Sequence, residues 1–250
     1  MTNIRKIKIN ISTYVFILLF FYSGFKKELL SILTVFIIHE FGHIFFCYLF
    51  KTKIISINVF PYGGIIKLKK LLNSPSYVDF FIASGGLLFQ VILEALNIFF
   101  IKNDILSYYN RSFALINLLP IIPFDGYKIF NALLTRIFPY FYSLVISIVI
   151  SVLGFGIVLS YQIIYSRFNL IFFIFVFIHI FYEIKDFVFI INQFYLERLL
   201  YNFNFKKTKY YRSLNIKLLM KGVHCFFFNK VYISERTLLA KKFDNSSYFW

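Results

Sequence analysis

Long apolar stretches separated by short polar segments dominate the first 190 residues of the chain. A membrane-spanning helix needs about 20 predominantly apolar residues, and six such stretches can be drawn. The fourth is short, and its two prolines predict a broken or unwound end. The pattern therefore predicts an all-α polytopic membrane protein with about six transmembrane helices, at approximately 9–25, 29–50, 77–101, 112–125, 139–165 and 168–182.

The pattern changes near residue 190, where a polar and basic tail begins. We therefore predict two domains, a membrane domain over 1–190 and a cytoplasmic tail over 191–250. Residues 193–204 have the spacing of an amphipathic helix. Apolar runs on either side of Asn229 and Lys230 predict a hairpin, so the tail is either a small α+β module or a surface clamp.

A β-rich segment, 54–70, lies between the second and third predicted spans. Its β-branched runs flank Pro61, Tyr62, Gly63 and Gly64, which favours a hairpin or a re-entrant loop at the cytoplasmic edge. Non-helical backbone at membrane depth is tolerated only against protein or water. One interpretation is an ordinary loop, and the other is a strand edge that pairs with an extended substrate.

Composition excludes a soluble domain, because 60% of the residues are hydrophobic and 23% are aromatic. The net charge of +16 could indicate nucleic-acid binding, but we assign it to membrane topology, since short loops rich in Lys and Arg stay cytoplasmic. With a cytoplasmic N-terminus, five of the 27 basic residues face outward: Lys26, Lys27, Lys102, Arg111 and Arg167.

This charge bias predicts that both termini are cytoplasmic and that the basic tail faces anionic membrane lipid or an acidic partner. No nucleic-acid partner is predicted. The first apolar segment has no small-residue cleavage site after it, so we expect an uncleaved anchor. Two cysteines, Cys47 and Cys225, give no disulfide framework.

The second predicted span contains the pentapeptide His39-Glu40-Phe41-Gly42-His43. On a helix, this HExxH spacing places two imidazoles on one face, with a carboxylate beside the first. The pattern is typical of a zinc site with its own general base. Ionisable side chains within a membrane span are costly and usually functional, so we predict one catalytic Zn²⁺ ion here.

A catalytic zinc ion needs a third protein ligand. Cys47 lies about 12 Å along the helix from His39, at ~1.5 Å per residue, which is too far to share one ion. His179 could be a ligand, but helix packing is the favoured interpretation. Asp125 is the better candidate, because it follows a proline-broken helix and a buried carboxylate needs a cationic partner.

The segment from Asn117 to Gly126 reads Asn-Leu-Leu-Pro-Ile-Ile-Pro-Phe-Asp-Gly. Together with HExxH, it resembles the site-2 proteases, intramembrane zinc metalloproteases that carry these two motifs on different membrane helices. The residues Phe60 to Gly64 and Leu196-Glu197-Arg198 make the chain similar to the sporulation branch of that family. The resemblance implies zinc ligands His39, His43 and Asp125, the general base Glu40, and substrate-binding residues Asn117, Pro120, Pro123, Gly63 and Gly64.

The resemblance also implies partners and a location. The substrate would be an inactive sigma-factor precursor at the membrane, held back from cleavage by membrane-bound inhibitory proteins. In a spore former, the protease would lie in the mother-cell membrane around the forespore. The sequence departs from the family pattern at Tyr127, where a second glycine is common, and at Ser84-Gly85-Gly86, where a Gly-Pro pair is common.

Two other classes stay open: a non-proteolytic metal-binding scaffold or assembly partner, and a zinc transporter. The intact general base Glu40 argues against a scaffold. A transporter would favour several polar pairs along a path, and Gln90 with Glu94 is the main further pair in the spans. This pair either lines a water path or substrate groove or forms interhelical hydrogen bonds, and the second interpretation is favoured.

Overall fold

The computed structural model describes residues 6–60, 63–165, 170–229 and 231–244. Within these ranges the chain is mostly helical, with two small three-stranded sheets. The α-helices are α1 (Ile11–Tyr22), α2 (Lys26–Leu49), α3 (Ser76–Leu96), α4 (Asp104–Leu118), α5 (Asp125–Ile137), α6 (Tyr140–Ile164), α7 (Leu170–Leu200) and α8 (Glu235–Asp244). The strands are β1 (Lys6–Ile9), β2 (Lys53–Phe60), β3 (Gly63–Lys69), β4 (Thr208–Tyr211), β5 (His224–Asn229) and β6 (Val231–Ser234).

Three of these helices are long and apolar enough to cross a membrane: Lys26–Leu49, Ser76–Ile101 and Tyr140–Ile164. The second of them includes a π-helical turn, Asn97–Ile101, after α3. Helix α6 buries Ser143, Ser147 and Ser151 while exposing Leu153 and Ile157. A helix in water has the opposite arrangement, so small polar groups inside and apolar groups outside indicate packing in lipid. The chain is an integral membrane protein with several apolar helices.

The six predicted spans are not all confirmed. Helix α1 has 12 residues and α4 has 15, short of the roughly 20 that a span needs. Helix α7 has 31 residues, but Glu183, Lys185 and Asp186 place three charges near its middle. The predicted fourth span ends as expected, because α4 stops at Leu118 and residues 119–124 are not helical.

The described chain divides into two compact units. The first, Met1–Lys70 with Phe81–Leu119, contains the sheet β1–β2–β3. Strands β2 and β3 pair antiparallel, with Phe60 opposite Gly63, so the predicted hairpin is confirmed, while its turn residues Pro61 and Tyr62 lie outside the described residues. Strand β1, which the sequence pattern did not predict, pairs parallel with β2.

Two clusters form the core of this first unit. Val35, Leu93 and Leu106 join α2, α3 and α4. Cys47 is fully buried with Ile54 and Ile57 of β2. These contacts fix α2, which carries the HExxH motif, against its neighbours.

The second unit, Leu71–Phe80 with Pro120–Trp250, contains the other sheet. Strands β5 and β6 pair antiparallel, as predicted for the tail, whereas Lys230 at the turn lies outside the described residues. Strand β4 adds to β5 in parallel. The predicted amphipathic segment 193–204 is not a separate helix, because α7 runs without interruption to Leu200.

Helix α7 is joined to the tail by a buried arginine. Arg198 is 1% exposed, and its guanidinium donates to both carboxylate oxygens of Glu235, at 3.1 and 3.0 Å, and to the carbonyl of Val223 at 2.8 Å. Its Nε also donates to Asn73 Oδ1. The Leu196-Glu197-Arg198 segment therefore organises the packing of the second unit.

Candidate metal centre

Helix α2 positions the HExxH side chains, and all three are buried. His39 is 3% exposed, Glu40 8% and His43 8%. His39 Nδ1 lies 3.0 Å from Gln90 Oε1, and His43 Nδ1 lies 2.7 Å from the carbonyl oxygen of Ile82. Both bonds have an oxygen as acceptor, so each Nδ1 carries the proton and each Nε2 of a neutral ring keeps a lone pair.

The predicted third ligand, Asp125, begins α5 and is 3% exposed. The non-helical segment before it is held in place by Ser151, whose Oγ accepts the N–H of Ile122 at 2.8 Å. The N-terminus of a helix stabilises a carboxylate through the helix dipole. Asp125 Oδ1 also lies 2.9 Å from the ammonium of Lys128, a side chain that is 55% exposed.

His39, His43 and Asp125 form a buried group in which one ligand atom from each lies within 4.8 Å of the others. The two histidine Nε2 atoms are 3.0 Å apart. Two facing lone pairs repel each other unless a cation lies against them. Two imidazoles and one carboxylate are also a donor set that catalytic zinc uses, so these residues fit the predicted ion.

Glu40 lies on α2 next to this group. Its Oε1 accepts the backbone N–H of Gly64 at 3.0 Å. Its Oε2 is buried and has no hydrogen-bond partner among the described residues. A buried carboxylate oxygen that is not satisfied is expensive, and such an atom can take up a proton.

Glycines make room for the HExxH side chains, a feature that the sequence reasoning did not identify. A Cβ on Gly64 would lie 2.5 Å from the Glu40 carboxylate carbon, and one on Gly86 would lie 2.4 Å from His39 Cε1. A Cβ on Gly42 would lie 2.2 Å from the carbonyl oxygen of Gly85. The signal was the Gly85-Gly86 pair inside an apolar helix, since small residues let membrane helices approach closely.

The predicted substrate-binding residues occupy three places. Asn117 lies in the last turn of α4, where its amide donates to the carbonyl of Phe113 at 3.1 Å. Pro120 and Pro123 lie in the non-helical segment 119–124, and the Ile122–Pro123 bond is cis. Gly63 and Gly64 begin β3. Of these, Gly64 contacts Glu40, and the substrate-binding role of all five stays a prediction.

The weaker ligand candidates have other contacts. Cys47 lies in an apolar cluster, as expected. His179 Nδ1 lies 2.9 Å from the carbonyl of Phe175 in its own helix, and Glu183 accepts from the Tyr127 hydroxyl at 3.2 Å. Interhelical hydrogen bonding by Glu94 is confirmed, because Asn110 of α4 donates to it at 2.9 Å.

No family model matches the chain. The fold is similar to the solved site-2 protease from Methanocaldococcus jannaschii, with a TM-score of 0.54 and 23% sequence identity, over 71% of this chain and 89% of that one. The chain therefore shares the fold of that site-2 protease, which agrees with the resemblance that the two motifs indicated.

The chain is also distantly related to the stage IV sporulation protein FB of Bacillus subtilis (strain 168). The two are 29% identical over 126 residues, covering 47% of this chain and 44% of the relative. The matched region thus spans less than half of the relative's length. These findings confirm the resemblance to the site-2 protease family and support zinc as the cofactor.

Proposed function

We propose that this chain is an intramembrane zinc metalloprotease that hydrolyses a peptide bond of a membrane-associated protein, within or at the edge of the bilayer. The observation that carries the proposal is the buried Glu40, which adjoins His39 in an apolar helix. One of its carboxylate oxygens has no hydrogen-bond partner in the part of the chain that the structure describes. A scaffold that only bound a metal would need the ligands His39, His43 and Asp125 but would not need this carboxylate.

The chemistry divides between the metal and the protein. A zinc ion held by His39, His43 and Asp125 would supply Lewis-acid chemistry, lowering the pKa of water toward ~7 and polarising the scissile carbonyl. Glu40 accepts a proton from the attacking water at Oε2 and donates it to the nitrogen of the leaving amine. The products are a carboxylate and an amine, so the atoms of one water molecule are added across the peptide bond.

Strand β3 supports a place for the substrate. In the order β1–β2–β3, one side of β3 pairs with β2, and its other side is the edge of this sheet in the described part of the chain. The Gly64 N–H holds Glu40 at the start of this strand. A substrate segment in extended form can pair with such an edge. The peptide bonds of an extended segment are open to attack, whereas those of a helix are hydrogen-bonded within the helix and shielded.

Gly63 and Gly64 would therefore bind substrate backbone. In the same proposal, Asn117 holds the substrate or shapes the site, and Pro120 and Pro123 bind the substrate from the non-helical segment before Asp125.

The biological assignment rests on the relationship to a sporulation protein. We assign as substrate a sigma-factor precursor whose pro-sequence lies at the membrane, with membrane-bound inhibitory proteins as regulators. The charge distribution favours cytoplasmic termini, with the basic tail against anionic lipid. In a spore former, the location would be the mother-cell membrane around the forespore.

Co-expression with a tagged sigma-factor precursor tests this function, with wild type compared against Glu40→Gln. We expect a shortened precursor with wild type, none with the variant, and none when a zinc chelator is added. The purified variant should keep one zinc ion per chain, because Glu40 is not among the proposed ligands. Precursor cleavage by Glu40→Gln at the wild-type rate would refute the role of Glu40.

The same experiment separates the protease from the scaffold. If the wild-type chain binds zinc but neither form shortens any membrane-associated precursor, even with candidate regulators absent, the scaffold is favoured. If zinc is absent from the wild-type protein, the metal site itself is wrong.

A further inference from the structure

Gln90 is a buried amide whose contacts lead directly to a predicted zinc ligand. It lies on α3 and is 1% exposed. Its Oε1 lies 3.0 Å from His39 Nδ1. A polar side chain buried among apolar helices is costly unless it is hydrogen-bonded, and here the bond reaches the imidazole that faces His43.

The orientation of the Gln90 amide is set by α4. Gln90 Nε2 donates to the backbone carbonyl of Asn110 at 3.3 Å, and Asn110 Nδ2 donates to the backbone carbonyl of Gln90 at 3.0 Å. Because the Asn110 carbonyl can only accept, the NH₂ group of Gln90 must face α4 and its oxygen must face His39.

Asn110 is held in turn by Glu94. Asn110 Nδ2 donates to Glu94 Oε2 at 2.9 Å, and Arg111 Nε donates to Glu94 Oε1 at 2.7 Å. The hydroxyl of Ser107 also donates to Glu94. A chain of hydrogen bonds therefore runs from a charged pair on α3 and α4, through Asn110 and Gln90, to His39.

We infer that Gln90 is a positioning residue for metal binding: it fixes the Nδ1–H tautomer of His39 and leaves Nε2 with the lone pair that a metal ion requires. This inference rests on the proposed zinc site. If the amide were reversed, its NH₂ group would face His39 Nδ1 and would favour a proton on Nε2, where the ion has to bind. Asn110 and Glu94 prevent that reversal.

Side chains that orient a metal-ligating histidine have measurable effects on metal affinity. Removing the partner that orients a ligating histidine lowers metal affinity about 10–100-fold. Gln90→Met keeps the length of the side chain but removes the acceptor. Gln90→Glu, when protonated, keeps a carbonyl acceptor toward His39 and a hydroxyl donor toward Asn110, so it should preserve both contacts.

The experiment measures the zinc dissociation constant of the purified full chain in detergent, by competition with a chelator. Gln162→Met on α6 is the matched control, because it makes the same chemical change in another apolar helix. We expect a 10–100-fold weaker constant for Gln90→Met, and constants within about threefold of wild type for Gln90→Glu and Gln162→Met.

A second measurement needs no variant that could fail to fold. The chain has four histidines, so ¹⁵N-histidine spectra of the metal-free wild-type protein can report the tautomer of each. The expected result is Nδ1–H for His39. A proton on Nε2 would overturn the inference.

Wild-type zinc affinity in a folded Gln90→Met variant would also overturn it, as would an equal loss in Gln162→Met. Either result leaves the proposed protease function standing if the wild-type chain binds zinc. A wild-type chain without zinc would refute the proposed function, while the tautomer of His39 would still test Gln90.

Discussion

Replacing Gly86 by alanine should disturb the metal site through a single added methyl group. A Cβ at this position would lie 2.4 Å from Cε1, 2.6 Å from Nδ1 and 2.7 Å from Nε2 of His39. All three atoms belong to one rigid ring, so no flexible end can move aside. The ring or the helix must shift by about 1 Å to reach ordinary contact distance.

The size of the effect follows from what holds the ring. His39 Nδ1 is 3.0 Å from Gln90 Oε1, and a shift of about 1 Å is enough to lose a hydrogen bond of this length. Overpacking of this kind costs roughly 1–3 kcal/mol. If most of this cost is relieved by moving His39 away from the ligand position, zinc affinity should fall about 10–100-fold, or about 1.4–2.8 kcal/mol.

The assay is the zinc content and chelator-competition constant of the purified chain, with Gly156→Ala as the matched control. Gly156 lies within α6, and a Cβ there would meet nothing within 4 Å, so the same substitution should leave zinc binding unchanged. Wild-type zinc affinity in Gly86→Ala would refute the placement of the His39 ring against α3. A comparable loss in Gly156→Ala would show that the effect is not specific to this contact.

Two further predictions concern other contacts. Gly64→Ala would place a Cβ 2.5–2.7 Å from the Glu40 carboxylate, so precursor cleavage should fall at least tenfold while zinc content stays unchanged; equal loss of zinc would contradict this separation. Arg198→Met leaves Glu235 buried without its cation, which should lower the free energy of unfolding by about 3–5 kcal/mol. The Cys225 thiol is 1% exposed and its pKa is raised by burial, so the loosened tail should react faster with maleimide at this thiol. Arg212 is exposed, so Arg212→Met is the control. The labelling rate is measured by mass spectrometry, and an unchanged rate in Arg198→Met would mean that Arg198 does not stabilise the tail.

Short-range spacing explains what could be predicted about the site. HExxH fixes two imidazoles on one helical face, because positions i and i+4 are neighbours by helix geometry alone. The two prolines before Asp125 end a helix for equally local reasons. These local patterns predict His39, His43 and Asp125 as metal ligands, and one ligand atom from each lies within 4.8 Å of the others.

The membrane segments were predicted less completely. Apolar composition identified the three long helices, and the other predicted spans stay predictions. A run of apolar residues does not reveal where a helix ends, and α1 and α4 stop after 12 and 15 residues. The strand pairing of β1 with β2 depends on residues distant in sequence, so local patterns could not predict it.

Local patterns along the chain specify the chemical groups of the candidate site: two histidines and a glutamate at helical spacing in an apolar segment, and an aspartate after a broken helix. The orientation of those groups depends on the tertiary fold. Three features depend on contacts between different elements: Gln90 faces Nδ1 of His39, Gly86 leaves space for the ring, and Gly64 hydrogen-bonds to Glu40. Such contacts arise from how helices and strands pack, which no spacing along a single element can specify.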